Sequence, residues 1–226
     1  MSLPDVETSW NRIRASLAQR APDLLATIRP PATEPDIAAA EEAVGVALPA
    51  DLLAWWRLAD GRADGPGHLL PRWFDPYPVA SALRSRKSWT DVWRNAEDNY
   101  FASEDGWMHR ELLAWAGGQR PTVDDRIAAL MAEPAGTPCE GMYLPVWLPI
   151  ADSRMGTDLF VDLRDGPLRG CVMSFDNVGT AQADPTWPSV TAMLAEVANA
   201  LAGSEIVVDG DPVRAEVDER GHLTWE

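Results

Sequence analysis

Apolar side chains recur every three or four residues in four stretches of the chain, which is the spacing of one face of an α-helix. The second stretch is followed by Gly45, and the third is preceded by Pro49. Glycine favours the left-handed end of a helix, and proline suits a first helical turn. Thr33 or Asp36 can cap the second helix through its side chain. The four predicted helices cover residues 6–21, 36–44, 49–58 and 188–202.

Weaker helical patterns occupy the middle of the chain, and three apolar runs beyond them are separated by glycine-containing turns. Such runs predict successive strands, and their short connections exclude the long crossovers that parallel strands require. Turn signals at Asp209-Gly210 and Arg220-Gly221 predict a β-meander in the tail. The weaker helices are expected at 79–94, 105–116 and 121–132, and the three strands at 144–152, 156–163 and 170–176.

These elements predict an α+β fold, with a mostly antiparallel β-sheet flanked by helices. The sheet is expected to hold strands around Leu69, Val146, Leu159 and Val172 together with the C-terminal strands. Helices 36–44, 49–58 and 188–202 are expected to pack against it.

Several short motifs lie along about two thirds of the chain: Gly45-Val46-x-Leu48-Pro49, Asp60-Gly61, Trp147-x-Pro149-Ile150, Gly156, Asp162, Gly170, Val172 and Trp187-x-Ser189. Together they resemble the SUKH superfamily. That superfamily includes fungal cell-wall-assembly regulators and many bacterial immunity proteins. The resemblance implies a SUKH-like α+β fold and a non-enzymatic role in protein binding.

The length of 226 residues and the hydrophobic content of 46% suit one domain of ordinary size. We expect a single SUKH-like domain over 1–226, with a longer variable helical segment at about 76–143. The first residues carry acids where a signal peptide is basic, and no apolar run reaches the length of a membrane span. We therefore expect a cytoplasmic protein, with Cys139 and Cys171 both reduced.

The chain is acidic, with 35 acids, 19 bases and a net charge of −16. Residues 151–226 hold 14 acids and 5 bases, so the C-terminal third has the denser negative field. This field disfavours nucleic acid and anionic membrane as partners and favours a basic protein surface. Acidity that serves solubility alone is the competing explanation.

Eleven tryptophans are unusual for a chain of this length. Tryptophan is frequent both in cores and at the anchor points of interfaces. Five of them lie on periodic apolar faces or in the family motifs, and we expect them in the core: Trp10, Trp55, Trp56, Trp147 and Trp187. Four others lie in polar, irregular surroundings that leave core and contact surface open: Trp73, Trp89, Trp93 and Trp107.

No phosphate loop, zinc-protease motif, paired-cysteine motif or serine elbow occurs in the sequence. His68, His109 and His222 are scattered, so we expect no catalytic residues, no metal and no cofactor. Acids between positions 152 and 176 could hold a carboxylate pair for hydrolysis or a calcium ion. Asp158 and Asp162 would share one face of a strand, but that face could simply be exposed to solvent.

Three functions are compatible with these observations. The first is an immunity protein that binds and neutralises a bacterial toxin domain, as the resemblance implies. The second is an intracellular regulatory scaffold like the fungal relatives, and the third is a hydrolase that uses the aspartate cluster. For partner binding we predict Trp73 and Trp107 as apolar contacts and Asp152 and Asp158 as charged ones, because irregular segments beside a rigid sheet can project binding groups.

Overall fold

The computed structural model describes residues 3–100, 122–139, 141–177, 180–181 and 183–226, with the helix backbone alone for 95–100. Within these ranges the chain forms helices and antiparallel strands, so the predicted α+β class is confirmed. The helices are α1 (Val6–Arg20), α2 (Pro22–Ala26), α3 (Glu34–Val44), α4 (Ala50–Trp56), α5 (Val79–Tyr100), α6 (Val123–Met131) and α7 (Val190–Leu201). The strands are β1 (Asp75–Pro76), β2 (Trp147–Asp152), β3 (Thr157–Asp162), β4 (Val172–Asp176), β5 (Ile206–Val208), β6 (Asp211–Val213), β7 (Ala215–Val217) and β8 (Leu223–Trp225).

The main sheet has four antiparallel strands in the order β1-β2-β3-β4. The prediction of a strand around Leu69 was wrong. Pro71 begins a 3-10 turn at Pro71–Trp73 and thereby ends the extended segment. The edge position is taken by Asp75–Pro76, where a proline that lacks an N–H costs no ladder hydrogen bond.

The C-terminal strands were also expected in this sheet, and that prediction was wrong. β5–β6 and β7–β8 form two separate hairpins with three residues in each strand. They pack against α7 and the 3-10 turn instead of extending the sheet. Each hairpin buries alternate side chains such as Ile206, Val208 and Leu223, so its apolar face is already covered.

The helix ends follow the local signals in the sequence. Thr33 caps α3 in a reciprocal capping box with Asp36, and Gly45 ends it with φ 75°. Thr122 caps α6 in the same way. The helices predicted at 79–94 and 121–132 are confirmed as α5 and α6, while the one predicted at 105–116 lies outside the described residues.

The core contains all five tryptophans that were predicted to lie there, each no more than 2% exposed. α1 packs against α7, and α5 packs against β2. The Trp10 and Trp55 rings meet edge to face with their centroids 6.3 Å apart. Cys139 and Cys171 are buried. In the described part of the chain, no helix is both long and apolar enough to cross a membrane.

A fully buried ion pair joins the β3–β4 connection to the segment that follows α6. Arg164 Nη2 donates to Asp162 Oδ2 at 2.7 Å, and Asp162 Oδ2 also accepts from the backbone N–H of Gly136 at 2.9 Å. The guanidinium donates further to the carbonyl oxygens of Leu130 (3.1 Å) and Thr137 (2.6 Å). Asp162 therefore does not face solvent, because its charge is used to hold two segments together.

Candidate functional site

An open pocket of about 470 Å³ lies between the first half of α5 and the β2–β3 hairpin. We call it the α5–hairpin pocket. Its volume falls within the range of sites that take small ligands or single side chains. Most of its lining residues have polar side chains, and the lining comprises Tyr77, Ser81, Arg84, Ser85, Ser88, Trp89, Asp152, Gly156 and Asp158.

The helical wall of the pocket is a stripe of polar side chains on α5. Ser81, Arg84, Ser85 and Ser88 stand at positions i, i+3, i+4 and i+7, so they lie on one face of the helix. Arg84 Nη2 donates to Ser81 Oγ at 2.8 Å. This stripe was not predicted from the sequence, although its regular spacing within the predicted helix 79–94 was a signal that could have identified it.

The other wall is built from the β2–β3 hairpin. Asp152 and Asp158 are directly opposite each other in the strand register, and therefore lie on the same face of the sheet. Gly156 in the hairpin turn has φ 83°, and an added Cβ there would lie 2.9 Å from the Asn177 side chain. The positive φ favours glycine at this turn, whereas the close Asn177 amide is the end of a flexible side chain that can move aside.

Asp158 is the most constrained side chain of the pocket, only 3% exposed. The Tyr77 hydroxyl donates to its Oδ1 at 2.9 Å, and the Trp89 indole N–H donates to its Oδ2 at 2.9 Å. The Ser85 hydroxyl also donates to Oδ2. These three donors come from two segments far away in the sequence, so the carboxylate ties β3 to α5 and to the segment after β1.

The pKa of the Asp158 carboxyl is shifted mainly because the group is buried. Burial raises the pKa of Asp158, while the hydrogen bonds from Ser85, Trp89 and Tyr77 act in the opposite direction. The nearby charge of Asp152 raises it further. Burial also raises the pKa of Tyr77, and the charge of Asp158 adds to that effect, so the phenol is a hydrogen-bond donor at neutral pH.

A second notable surface is the 3-10 turn that carries Trp73. The Trp73 side chain is large and apolar, yet the residue is 51% exposed. Arg72 and Trp73 both have positive φ, at 57° and 66°, which is uncommon for residues other than glycine. Arg72 Nη2 holds the turn to the β5–β6 hairpin by donating to Val208 O at 3.0 Å and to Asp211 Oδ2 at 2.7 Å.

The structure brings together two of the four predicted contact residues, Asp152 and Asp158, in the α5–hairpin pocket. Trp73 lies apart from the pocket lining, two residues before β1. Trp107 lies outside the described residues. Trp89, whose role was left open, forms part of the pocket and packs edge to face on Phe175 at 4.8 Å between centroids.

Two histidines of the described chain lie beside aspartates, away from the pocket lining. His68 Nδ1 is 3.1 Å from Asp75 Oδ2, and His222 Nδ1 is 3.5 Å from Asp218 Oδ2. Within the described ranges no group of histidine, cysteine, aspartate and glutamate side chains is arranged to hold a metal ion.

Comparison with known proteins places the chain in a family. Residues 31–196 match the model of the SMI1 / KNR4 family (SUKH-1). Because this match covers well over half of the chain, the protein belongs to the SMI1 / KNR4 family, and the predicted SUKH resemblance is confirmed. No curated protein matches the sequence.

Family membership is compatible with a protein-binding module in immunity or in regulation, and the family is generally non-catalytic. The matched range contains both the α5–hairpin pocket and the Trp73 turn. It excludes the two C-terminal hairpins, to which Arg72 holds that turn.

Proposed function

We propose that this protein is a non-enzymatic binding module, an immunity protein that neutralises a toxin domain by docking onto it. The observation that carries the proposal is the exposed, rigidly held Trp73. Its ring is half exposed, whereas the five tryptophans of the core are almost completely buried. Tryptophan at such a position is typical of the anchor residues that dominate interface energetics.

The backbone of the Trp73 turn supports this role. Two successive non-glycine residues with positive φ cost on the order of 1–3 kcal/mol each. Such strain persists only where other contacts enforce it, and here Arg72 supplies them through Val208 and Asp211. A backbone turn that is fixed before binding loses little conformational entropy when a partner covers the side chain it presents.

The charge of the protein favours a basic partner. The net charge is −16, and the hairpin beside Trp73 carries two acids, Asp209 and Asp211, against the single charge of Arg72 that pairs with both. Such a field steers a basic surface toward the protein and raises the association rate at low salt. Asp152 and Asp158 would add charged contacts at the pocket.

A regulatory scaffold is the alternative within the same class, since it would also bind a protein. Hydrolysis is less well supported by the site. The Asp158 carboxylate is buried and already accepts hydrogen bonds from Tyr77, Ser85 and Trp89, which suits a structural role better than attack on a substrate or on water.

The test is affinity capture from the native host, with wild-type protein and Trp73→Ala immobilised side by side. The control is Leu168→Ala, which removes an exposed apolar side chain from the β3–β4 connection. We expect one protein to be retained by wild type and the control and lost by Trp73→Ala. Equal recovery on all three would contradict the proposal.

Co-expression then separates the two binding roles. An immunity function predicts that the captured protein arrests growth when produced alone and that co-production of the wild-type chain restores growth. A captured protein without toxicity would instead support the regulatory role.

A further inference from the structure

We propose that the α5–hairpin pocket is a receptor for one positively charged side chain, a guanidinium or an ammonium group, presented by the protein partner. This inference rests on the proposed binding function and specifies the chemistry of one contact. It is carried by the geometry of the two carboxylates, by the lack of an ion pair on either of them among the described residues, and by the aromatic rings beside the carboxylates.

The two carboxylates lie side by side on neighbouring strands. Asp152 and Asp158 are directly opposite in the register of β2 and β3, and both line the pocket. Burial is the main cause that raises the pKa of Asp158, and the nearby charge of Asp152 adds to it. A cation between the two carboxylates would relieve that repulsion, which a neutral ligand would not do.

Both carboxylates retain the capacity to accept further hydrogen bonds. A carboxylate offers about four acceptor positions, and the three described donors to Asp158 place one on Oδ1 and two on Oδ2. Asp152 Oδ1 accepts from the backbone N–H of Arg154 at 2.6 Å. A forked donor could therefore reach Oδ1 of Asp158 together with the Asp152 carboxylate.

Neither aspartate of the pocket has an ion pair among the described residues. Arg84 lines the α5 wall and donates to the Ser81 hydroxyl inside the pocket, and the side chain of Arg154 in the hairpin turn donates to Asp64 Oδ1 at 2.6 Å. The described lining therefore holds two carboxylates against one guanidinium, that of Arg84. The aromatic rings of Tyr77 and Trp89 also line the cavity, and ring faces attract cations.

The Trp89 indole N–H is a built-in reporter, because it donates to Asp158 at 2.9 Å. Trp187 supplies a matched control, since its indole N–H donates to the Glu196 carboxylate at the same distance outside the pocket. The experiment follows both indole resonances in ¹H–¹⁵N spectra of the full chain during titration with acetyl-arginine amide. Acetyl-citrulline amide, which has the same shape without the charge, serves as the matched neutral probe.

We expect a saturable shift of the Trp89 resonance with the arginine probe, at an affinity of about 1 mM, and no shift with citrulline. Asp152→Asn should weaken binding about tenfold, with the Trp187 resonance unchanged as evidence of an intact fold. Asp158→Asn, as a second variant, should weaken it similarly.

Three results would overturn the cation receptor: no saturable Trp89 shift, an equal response to citrulline, or binding that is unchanged in both variants. A Trp89 shift produced by inorganic phosphate but not by arginine would also overturn it, because it would identify an anion site. None of these results changes the outcome of the capture experiment with Trp73→Ala. Failure of the cation receptor is therefore distinguishable from failure of the binding function.

Discussion

Removing the guanidinium of Arg164 should destabilise the fold strongly, because this side chain is buried and paired with a buried carboxylate. Arg164→Met keeps the length of the side chain and leaves the Asp162 carboxylate buried without its cation. It also removes the donors to the carbonyl oxygens of Leu130 and Thr137. Breaking a buried pair by removing one partner costs about 3–5 kcal/mol. In a chain of this size that corresponds to roughly 6–20 °C in melting temperature.

The assay is urea unfolding followed by tryptophan fluorescence, with Arg57→Met as the matched control. Arg57 pairs with Glu34 at 2.8 Å, but both side chains are exposed, so the control should leave the urea midpoint close to that of wild type. A double variant, Asp162→Asn/Arg164→Met, should recover part of the loss because no unpaired charge remains buried. Equal losses in Arg164→Met and Arg57→Met would refute the view that burial gives the first pair its importance.

Three further predictions concern the core, the pocket and the hairpin turn. Trp147→Ala should lower the free energy of unfolding by about 3–5 kcal/mol through cavity formation, whereas Trp73→Ala should cost about 1 kcal/mol or less; equal urea midpoints would show that exposure has been misassigned. Because burial raises the pKa of Asp158, the folded state holds that proton more tightly, so wild type should gain unfolding free energy relative to Asp158→Asn as pH falls toward 3.8; parallel pH profiles would contradict this. Gly156→Ala should cost about 1–2 kcal/mol, because φ is positive there, and a thermal melt unchanged from wild type would count against the turn geometry.

Local signals were sufficient to predict much of the helical part of the fold. Thr33, Gly45 and Thr122 act within a few residues of their own position, so each one predicts a helix end from the local sequence alone. The periodic faces likewise placed Trp10 and Trp55 in the core, because burial of a helical stripe depends mainly on its spacing.

The edge of the sheet could not be predicted in this way. β1 consists of Asp75 and Pro76 alone, and two polar or proline residues carry no alternation that would identify a strand. The C-terminal strands showed clear turn signals, but nothing in those signals specifies whether a hairpin joins the main sheet or stands apart from it.

The residues of the pocket could be predicted only in part from the sequence. Asp152 and Asp158 were named, but Asp158 and Asp162 were both allowed to face solvent, and both are buried. The donors to Asp158 from Tyr77 and Trp89 lie 81 and 69 residues away along the chain, so no local pattern links them. Polar stripes on helices usually face water, so the serines of α5 gave no reason to predict a pocket.

Binding of a basic partner through Trp73 and the acidic field can be tested by its kinetics. Association and dissociation rates of the purified captured partner would be measured at low and at high salt, with wild type, Trp73→Ala and Asp152→Asn/Asp158→Asn. We expect the association rate to fall with added salt and in the double aspartate variant. We expect the dissociation rate to rise about tenfold or more in Trp73→Ala. Rates that respond neither to salt nor to these substitutions would contradict this mode of binding.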